Sequence, residues 1–479
     1  MGSASIQFVV FGLAAAVLAN LGHARWWRSS VLLLASIAFL YLLEPDPLTY
    51  LPLAGFLLLA YFACWVVQHK SPRLVGWSVL ILVLVYIWLK KYTFLPQASF
   101  LRFPYFTLGL SYIFFRVLHL VIESGEGKDK PRLTPLSYLL YTLNFTTLLS
   151  GPIQRYADFI RDQHAIEPPP LGIRVAGLQL ERIIRGFFKV NVLAILLDGS
   201  RQDALLQLTH PYAPMPMRYL AALKLSVVYP FFLYCNFSGY IDIVIALARL
   251  MRLRLPENFD RPFSASSFLD FWNRWHITLS NWLKTYVFNP LLIAFMRRIA
   301  SPGLQSASAI FCFFVTFFLI GLWHGRTAEF IFFGLLLGVG VAVNKTWQVA
   351  LTALLGRKRY NSLSSNPIYV AFGRGLTFSW FAFTLYWFWS SWSQIHSISS
   401  AIGLLPWLGV WSFIWLTATM VLAAWEILRA LLLAPKVASG PLLLSRYARV
   451  VYATALGFVA VIMVLLLNQP APEIVYKAF

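Results

Sequence analysis

Two short motifs hold the residues best suited to chemistry. One is Asp270-Phe271-Trp272-Asn273-Arg274-Trp275-His276-Ile277-Thr278-Leu279-Ser280 and the other is Gly321-Leu322-Trp323-His324-Gly325. Imidazole titrates near neutral pH, so a neutral histidine can take a proton from a hydroxyl and return it to a leaving group. His276 and His324 sit in a chain that is otherwise mostly apolar. Burying an ionisable group in such surroundings is expensive, which makes each a candidate functional residue.

The elements that must position them are membrane elements. Of 479 residues, 59% are hydrophobic and 12% charged, and the mean hydropathy is +0.69. A soluble domain is roughly 45–50% apolar and about 25% charged. Apolar runs occupy 6–21, 31–43, 51–67, 74–89, 105–122, 219–234, 309–323, 330–343, 370–389, 408–425 and 450–467. A spanning helix needs roughly 20 apolar residues, and several of these runs are shorter or abut. The expectation is an all-α polytopic integral membrane protein with roughly 11–13 membrane segments, some broken or re-entrant. No linker separates domains, so residues 1–479 are expected to form one membrane-embedded domain. The first run has no basic stretch before it and reads as a retained helix rather than a cleaved leader.

The net charge of +21 comes from 39 basic and 18 acidic residues. No nucleic-acid motif accompanies it. The expected partner is the lipid bilayer, with basic loops facing anionic lipid on the cytoplasmic side. Basic clusters lie at Arg249, Arg252, Arg254 and Arg261, at Arg297 and Arg298, and at Arg357, Lys358 and Arg359. The first two flank His276, which predicts a site near the cytoplasmic surface. Longer polar stretches at 123–132, 155–174, 249–267, 356–366 and 434–449 read as loops or interfacial helices. Cys64, Cys235 and Cys312 stand in apolar runs at no metal-ligand spacing and read as small buried side chains. No metal site is expected.

Wound as a helix, 268–287 puts Phe268, Phe271, Trp272, Trp275, Leu279 and Trp282 on one face. Asp270, Asn273, Arg274, Ser280 and Lys284 fall on the other, and His276 lies at the border. That predicts an amphipathic interfacial helix. The plain alternative for His276 is a polar residue beside an aromatic belt. His324 ends one apolar run just before another and is bracketed by Gly321 and Gly325. It reads as a histidine where a helix breaks, either lining a polar cavity or in a surface loop. His119, beside Arg116 in an apolar run, reads as structural. There is no nucleophile elbow and no zinc helix.

Four blocks together resemble the membrane-bound O-acyltransferase family, and its bacterial branch in particular. That branch includes alginate O-acetyltransferases and teichoic-acid D-alanyl transfer proteins. The blocks are Leu149-Ser150-Gly151-Pro152-Ile153-Gln154-Arg155-Tyr156-Ala157-Asp158-Phe159, then Asn236-Phe237-Ser238-Gly239-Tyr240-Ile241-Asp242. The third runs from Pro256-Glu257-Asn258-Phe259 through Arg261-Pro262-Phe263 to the His276 motif. The fourth is the His324 motif. The resemblance covers roughly residues 100–345.

It implies membrane helices around a central funnel or tunnel and transfer of a short acyl group, acetyl first, to a hydroxyl of an exported polysaccharide such as alginate. His324 matches the family's general-base histidine. His276 matches its second histidine, on the donor side or assisting proton transfer. Asn273, Arg274, Trp275, Ser238, Tyr240, Asp242 and Trp323 match substrate-binding, donor-path or architectural positions. No bound cofactor is implied. The donor would be acyl-CoA or a carrier-protein acyl thioester, and a carrier protein or extracytoplasmic acyltransferase would be a partner. The location would be the bacterial cytoplasmic (inner) membrane.

Where alginate acetylation proteins carry an RDY-type triplet and a double glycine, this chain has Lys284-Thr285-Tyr286 and Asn289-Pro290-Leu291. Asp270-Phe271-Trp272-Asn273 also occurs in D-alanyl transfer proteins. Acetyl transfer and D-alanyl transfer to teichoic acid therefore both stay open. A transporter or flippase using the histidines as proton relays would predict paired broken helices and repeat symmetry, and neither is visible.

Overall fold

A computed structural model describes residues 5–125, 133–299, 301–433 and 445–472. Parts of the polar stretches at 123–132 and 434–449 lie outside them. Among the described residues there is no β-strand, only one isolated bridge between Phe259 and Trp275. Helices satisfy their own backbone groups, which is what an apolar environment demands.

The chain divides into two compact units. The first comprises 1–191, 236–257 and 460–479. It contains α1 (Ile6–Leu21), α2 (Arg25–Leu43), α3 (Leu51–His69), α4 (Val75–Leu89), α5 (Leu110–Ser124), α6 (Pro135–Thr142), α7 (Tyr156–Gln163) and α8 (Ile173–Phe188). The second comprises 192–235 and 258–459. It opens with α9 (Ile195–Thr209) and most of α10 (Met215–Leu250), which passes into the first unit at Asn236. It continues with α11 (Phe268–Trp272), α12 (Ile277–Leu283), α13 (Asn289–Met296), α14 (Pro302–His324) and α15 (Ala328–Leu355). Then follow α16 (Arg357–Ser364), α17 (Pro367–Thr384), α18 (Tyr386–Trp389), α19 (Trp392–Ile402), α20 (Leu404–Leu433) and the start of α21 (Arg446–Leu467).

Eight of the described helices are long and apolar enough to cross a membrane. That is fewer than the 11–13 segments expected. Other apolar runs fold as shorter helices, such as α1 with 16 residues and α5 with 15. At about 1.5 Å per residue these reach about 24 Å, short of a bilayer core of about 30 Å.

In the first unit, the buried Arg116 guanidinium is held by backbone carbonyls. It donates to Tyr141 O (3.2 Å), Thr142 O (2.9 Å) and Thr147 O. His119 Nε2 meets the Tyr141 hydroxyl at 3.0 Å, and that hydroxyl donates to Gln154 O. His119 is thus absorbed into the packing, as its sequence context suggests.

In the second unit, α14 and α15 form an antiparallel hairpin that carries His324 at its turn. Glycines set how closely they approach. A Cβ at Gly334 would meet the Phe318 carbonyl and lie 3.1 Å from Gly321 Cα, and one at Gly338 would lie 2.8 Å from the Phe314 ring. Gly334 and Gly338 are one turn apart, as are Phe314 and Phe318. Small residues at such spacing let helix backbones approach closely where no hydrophobic force drives them together.

Gly334→Val should therefore lower stability by about 1–3 kcal/mol. Thermal unfolding of the purified chain in detergent would show it. Gly55→Ala, where an added Cβ meets nothing within 4 Å, should leave the midpoint unchanged or raise it.

Candidate active site

The His276 motif does not fold as one helix. Residues 268–287 form α11, a turn at 273–276, α12 and a π-helical turn at Lys284–Phe288. The break is made by the segment before it. Asn258 O accepts from Ile277 N (3.0 Å), and Asp260 N donates to Arg274 O (2.9 Å). Asn258 Oδ1 accepts from both Thr278 N (3.1 Å) and Thr278 Oγ1 (2.9 Å). These bonds satisfy the amides that start α12, and Phe259 bridges Trp275 in extended geometry. His276 becomes the N-cap of α12 with φ +47°, in the left-handed region that non-glycine residues seldom occupy. Strain of this kind persists only where surrounding structure over-determines it, and it gathers at functional sites.

The expected amphipathic interfacial helix is corrected accordingly. Its aromatic face is buried by protein. Trp275 packs on Phe271 (5.5 Å), Phe381 (5.0 Å) and Phe259 (5.1 Å) between ring centroids. Arg274 Nε bonds Asp270 Oδ1 (2.9 Å), and Asp270 Oδ2 accepts from Ser266 N (3.0 Å), so this pair braces the turn. Asn273 caps the end of α11 and is exposed.

His276 is 1% exposed and His324 5%. Both rings pack on Trp323, His276 at 6.1 Å and His324 at 4.8 Å between centroids. Phe388 (5.1 Å) and Phe333 (5.9 Å) wall His324 further. The structure thus gathers the two motif histidines across 48 positions of sequence. Trp323 lies at the turn of the hairpin, about 32 Å along α14 from Pro302. His276 is therefore at the far end of α14 from Arg297 and Arg298, not beside them as sequence proximity suggests.

Burial pushes the His276 imidazole down to about 3, so it is neutral at ordinary pH. Trp272 Nε1 and Ser280 Oγ, in the same segment, are buried without a hydrogen-bond partner among the described residues. Buried polar atoms are nearly always paired, so these two stand out as open hydrogen-bonding groups beside His276.

Ser238, Tyr240 and Asp242 belong to the first unit. Asp242 accepts from Arg182 Nε (2.9 Å) and Lys189 Nζ (2.8 Å), and Arg182 also forks onto Glu257 (2.7 and 2.6 Å). Ser238 Oγ lies 3.4 Å from Lys189 Nζ, and Tyr240 is fully buried against Phe8. Gly239 lets α10 cross α8 at Gly186, where a Cβ would lie 2.8 Å from the Gly186 carbonyl. This block holds two helices together through half-buried charge.

Asn258, Phe333 and Phe388 were not singled out from sequence. Asn258 lies inside the Pro-Glu-Asn-Phe block, which offered a signal. Phe388, 64 positions beyond His324, offered none.

A sequence model of MBOAT, the membrane-bound O-acyltransferase family, matches residues 79–388. The chain belongs to this family of integral membrane proteins, and the match spans both histidine motifs. It is 32% identical over 245 residues to a teichoic acid D-alanyltransferase of Streptococcus thermophilus, covering 50% of this chain and 57% of that protein. It is 31% identical over 222 residues to a peptidoglycan O-acetyltransferase of Helicobacter pylori, covering 45% and 38%. It is 29% identical over 241 residues to a Pseudomonas aeruginosa protein named as a probable alginate O-acetylase, AlgI, covering 50% and 42%. The chain thus spans only about half the length of these relatives.

The lowered His276 value sets a pH dependence. Between its folded value of about 3 and the ordinary 6.5, the unfolded chain binds a proton that the folded chain does not. Stability from this group is complete above about pH 6.5 and falls as pH drops, by up to about 1.4 kcal/mol per pH unit. Thermal midpoints measured from pH 7 to pH 4 should fall less steeply in His276→Asn, a residue that tolerates left-handed backbone.

Proposed function

We propose that the chain transfers a short acyl group, acetyl in the first instance, from a cytoplasmic thioester donor to a hydroxyl of an exported polysaccharide such as alginate. It would act in the bacterial inner membrane, with an acyl carrier protein or an extracytoplasmic acyltransferase as partner. The observation that carries this reading is the packing of both motif histidines on Trp323 inside aromatic walls.

His324 is the base. Its imidazole takes the acceptor hydroxyl's proton as that oxygen attacks the thioester carbonyl carbon. The tetrahedral intermediate collapses, the carbon–sulfur bond breaks, and the leaving thiolate takes the proton from imidazolium. The products are an ester and a free thiol. His276, held neutral by burial, is a poor base near pH 7 and acts by orienting rather than by carrying the proton. Trp272 Nε1 and Ser280 Oγ are donors available to polar groups of the acyl donor. Aromatic walls exclude water, which would otherwise compete with the hydroxyl for the thioester.

A second reading keeps this mechanism and changes the substrates to a carrier-bound D-alanine and teichoic acid. Its support is that a D-alanyltransferase stands among the relatives at comparable identity, 32% against 29% and 31% for the two acetylating relatives.

Acetyl and D-alanyl ester on isolated envelope polymers should be compared between wild type and His324→Ala at matched membrane levels. Acetyl ester should fall by about 10²-fold or more in the variant. A fall in D-alanyl ester alone selects the second reading, and undiminished ester of both kinds removes His324 from the mechanism.

A further inference from the structure

The second unit contains a cavity of about 760 Å³ between α15, α16 and α17, closed also by Ser266–Phe268 at the start of α11 and by Trp415 of α20. Val343, Phe372 and Leu376 line its apolar side and are exposed at the outer surface of the helices. Gln348, Tyr360 and Ser364 line its polar end. Trp380 also lines it, and its Nε1 is buried without a hydrogen-bond partner among the described residues. At the rim, Trp347 Nε1 donates to the Tyr369 hydroxyl (3.0 Å), a Trp–Tyr pair of the kind that marks the level of lipid headgroups.

Charge identifies the occupant. Arg357, Lys358 and Arg359 open α16, and Arg357 shares a helix face with Tyr360 and Ser364. Lys345 lies one turn before Gln348 on α15. No aspartate or glutamate occurs from Lys345 to Gly373. Arg357 and Lys345 thus share helix faces with residues that line the polar end, Lys358 and Arg359 follow on the same short helix, and the stretch holds no carboxylate to neutralise them. A soluble anion gains nothing from the apolar wall, and a zwitterionic lipid gains little from the cations. We infer that this cavity is a binding site for one anionic phospholipid. Its phosphate lies against the α16 cations and its acyl chains against Val343, Phe372 and Leu376. The inference stands on this cavity alone and does not depend on the reaction proposed above.

The test uses the purified full-length chain, delipidated in mild detergent and titrated with dioleoyl phosphatidylglycerol or dioleoyl phosphatidylcholine. Bound lipid is read by native mass spectrometry. The phosphatidylglycerol complex should be tighter by about tenfold or more, as juxtamembrane basic clusters predict. Combining Arg357→Gln, Lys358→Gln and Arg359→Gln should remove that preference. Val343→Trp, which fills the cavity from its lipid side, should weaken both lipids without moving the unfolding midpoint. Equal binding of the two lipids, or phosphatidylglycerol binding unaffected by either variant, would overturn the proposal. So would displacement of the lipid by coenzyme A, which would give the cavity to the acyl donor, or by free glycerol phosphate, which would make it a plain anion site.

Discussion

The site depends on one side chain that does no chemistry. Asn258 accepts two hydrogen bonds from Thr278 through its side chain and one from Ile277 through its carbonyl. Those bonds start α12 where the sequence would otherwise continue α11 without a break. The cost is a histidine in left-handed backbone. The result is that the His276 ring leaves the border of a helix and is carried onto Trp323. Without the clamp, periodicity alone would place His276 along an amphipathic surface. Asn258 acts on the site through its side-chain oxygen and its carbonyl, much as an N-cap fixes a helix start.

The second histidine is fixed by a different constraint. His324 is the last residue of α14, and Gly325 is extended after it. Its position is set by how closely α14 and α15 cross, and Gly334 and Gly338 set that distance. The two histidines thus come together through unrelated devices, a polar clamp for one and a glycine-lined helix crossing for the other. Trp323 is the common surface on which they meet. Phe333 and Phe388 complete a wall with few polar groups, which raises the value of each remaining hydrogen bond.

Much of this was legible in the sequence. The all-helical membrane class follows from apolar content and run length, and the two histidines stand out because ionisable groups are costly there. What periodicity could not give was the break at Asn273–His276. The pattern of Phe271, Trp272, Trp275 and Leu279 fits a helix well, and the bonds that interrupt it come from a segment with no periodic signal. Apolar runs and helices long enough to cross are different counts for a related reason. Hydropathy locates apolar runs, but α1 and α5 are helices of 16 and 15 residues; α5 is mostly buried by protein, while α1 keeps an exposed apolar face. Proximity in sequence to Arg297 and Arg298 says nothing about which way α12 and α13 run, so it could not show that His276 lies at the other end of α14. The Ser238–Asp242 block was visible as a motif, yet its salt bridges to Arg182 and Lys189 required the fold.

The arrangement of charge along the hairpin has a consequence for the site. The large net charge of +21 would suggest a strong field acting on any buried imidazole. In the second unit, however, Arg297, Arg298 and the Arg357–Arg359 cluster lie at the end of the α14–α15 hairpin remote from His324. The separation is about 30 Å along α14, several times the Debye length of about 8 Å that screens exposed charges at physiological salt. The nearest ionic group in the His276 segment, Arg274, is paired with Asp270. The state of His276 is therefore set by desolvation, and the causes of its lowered value include no neighbouring charge. Burial rather than a neighbouring charge therefore governs His276, while the Arg297, Arg298 and Arg357–Arg359 cations stand at the opposite end of the same hairpin.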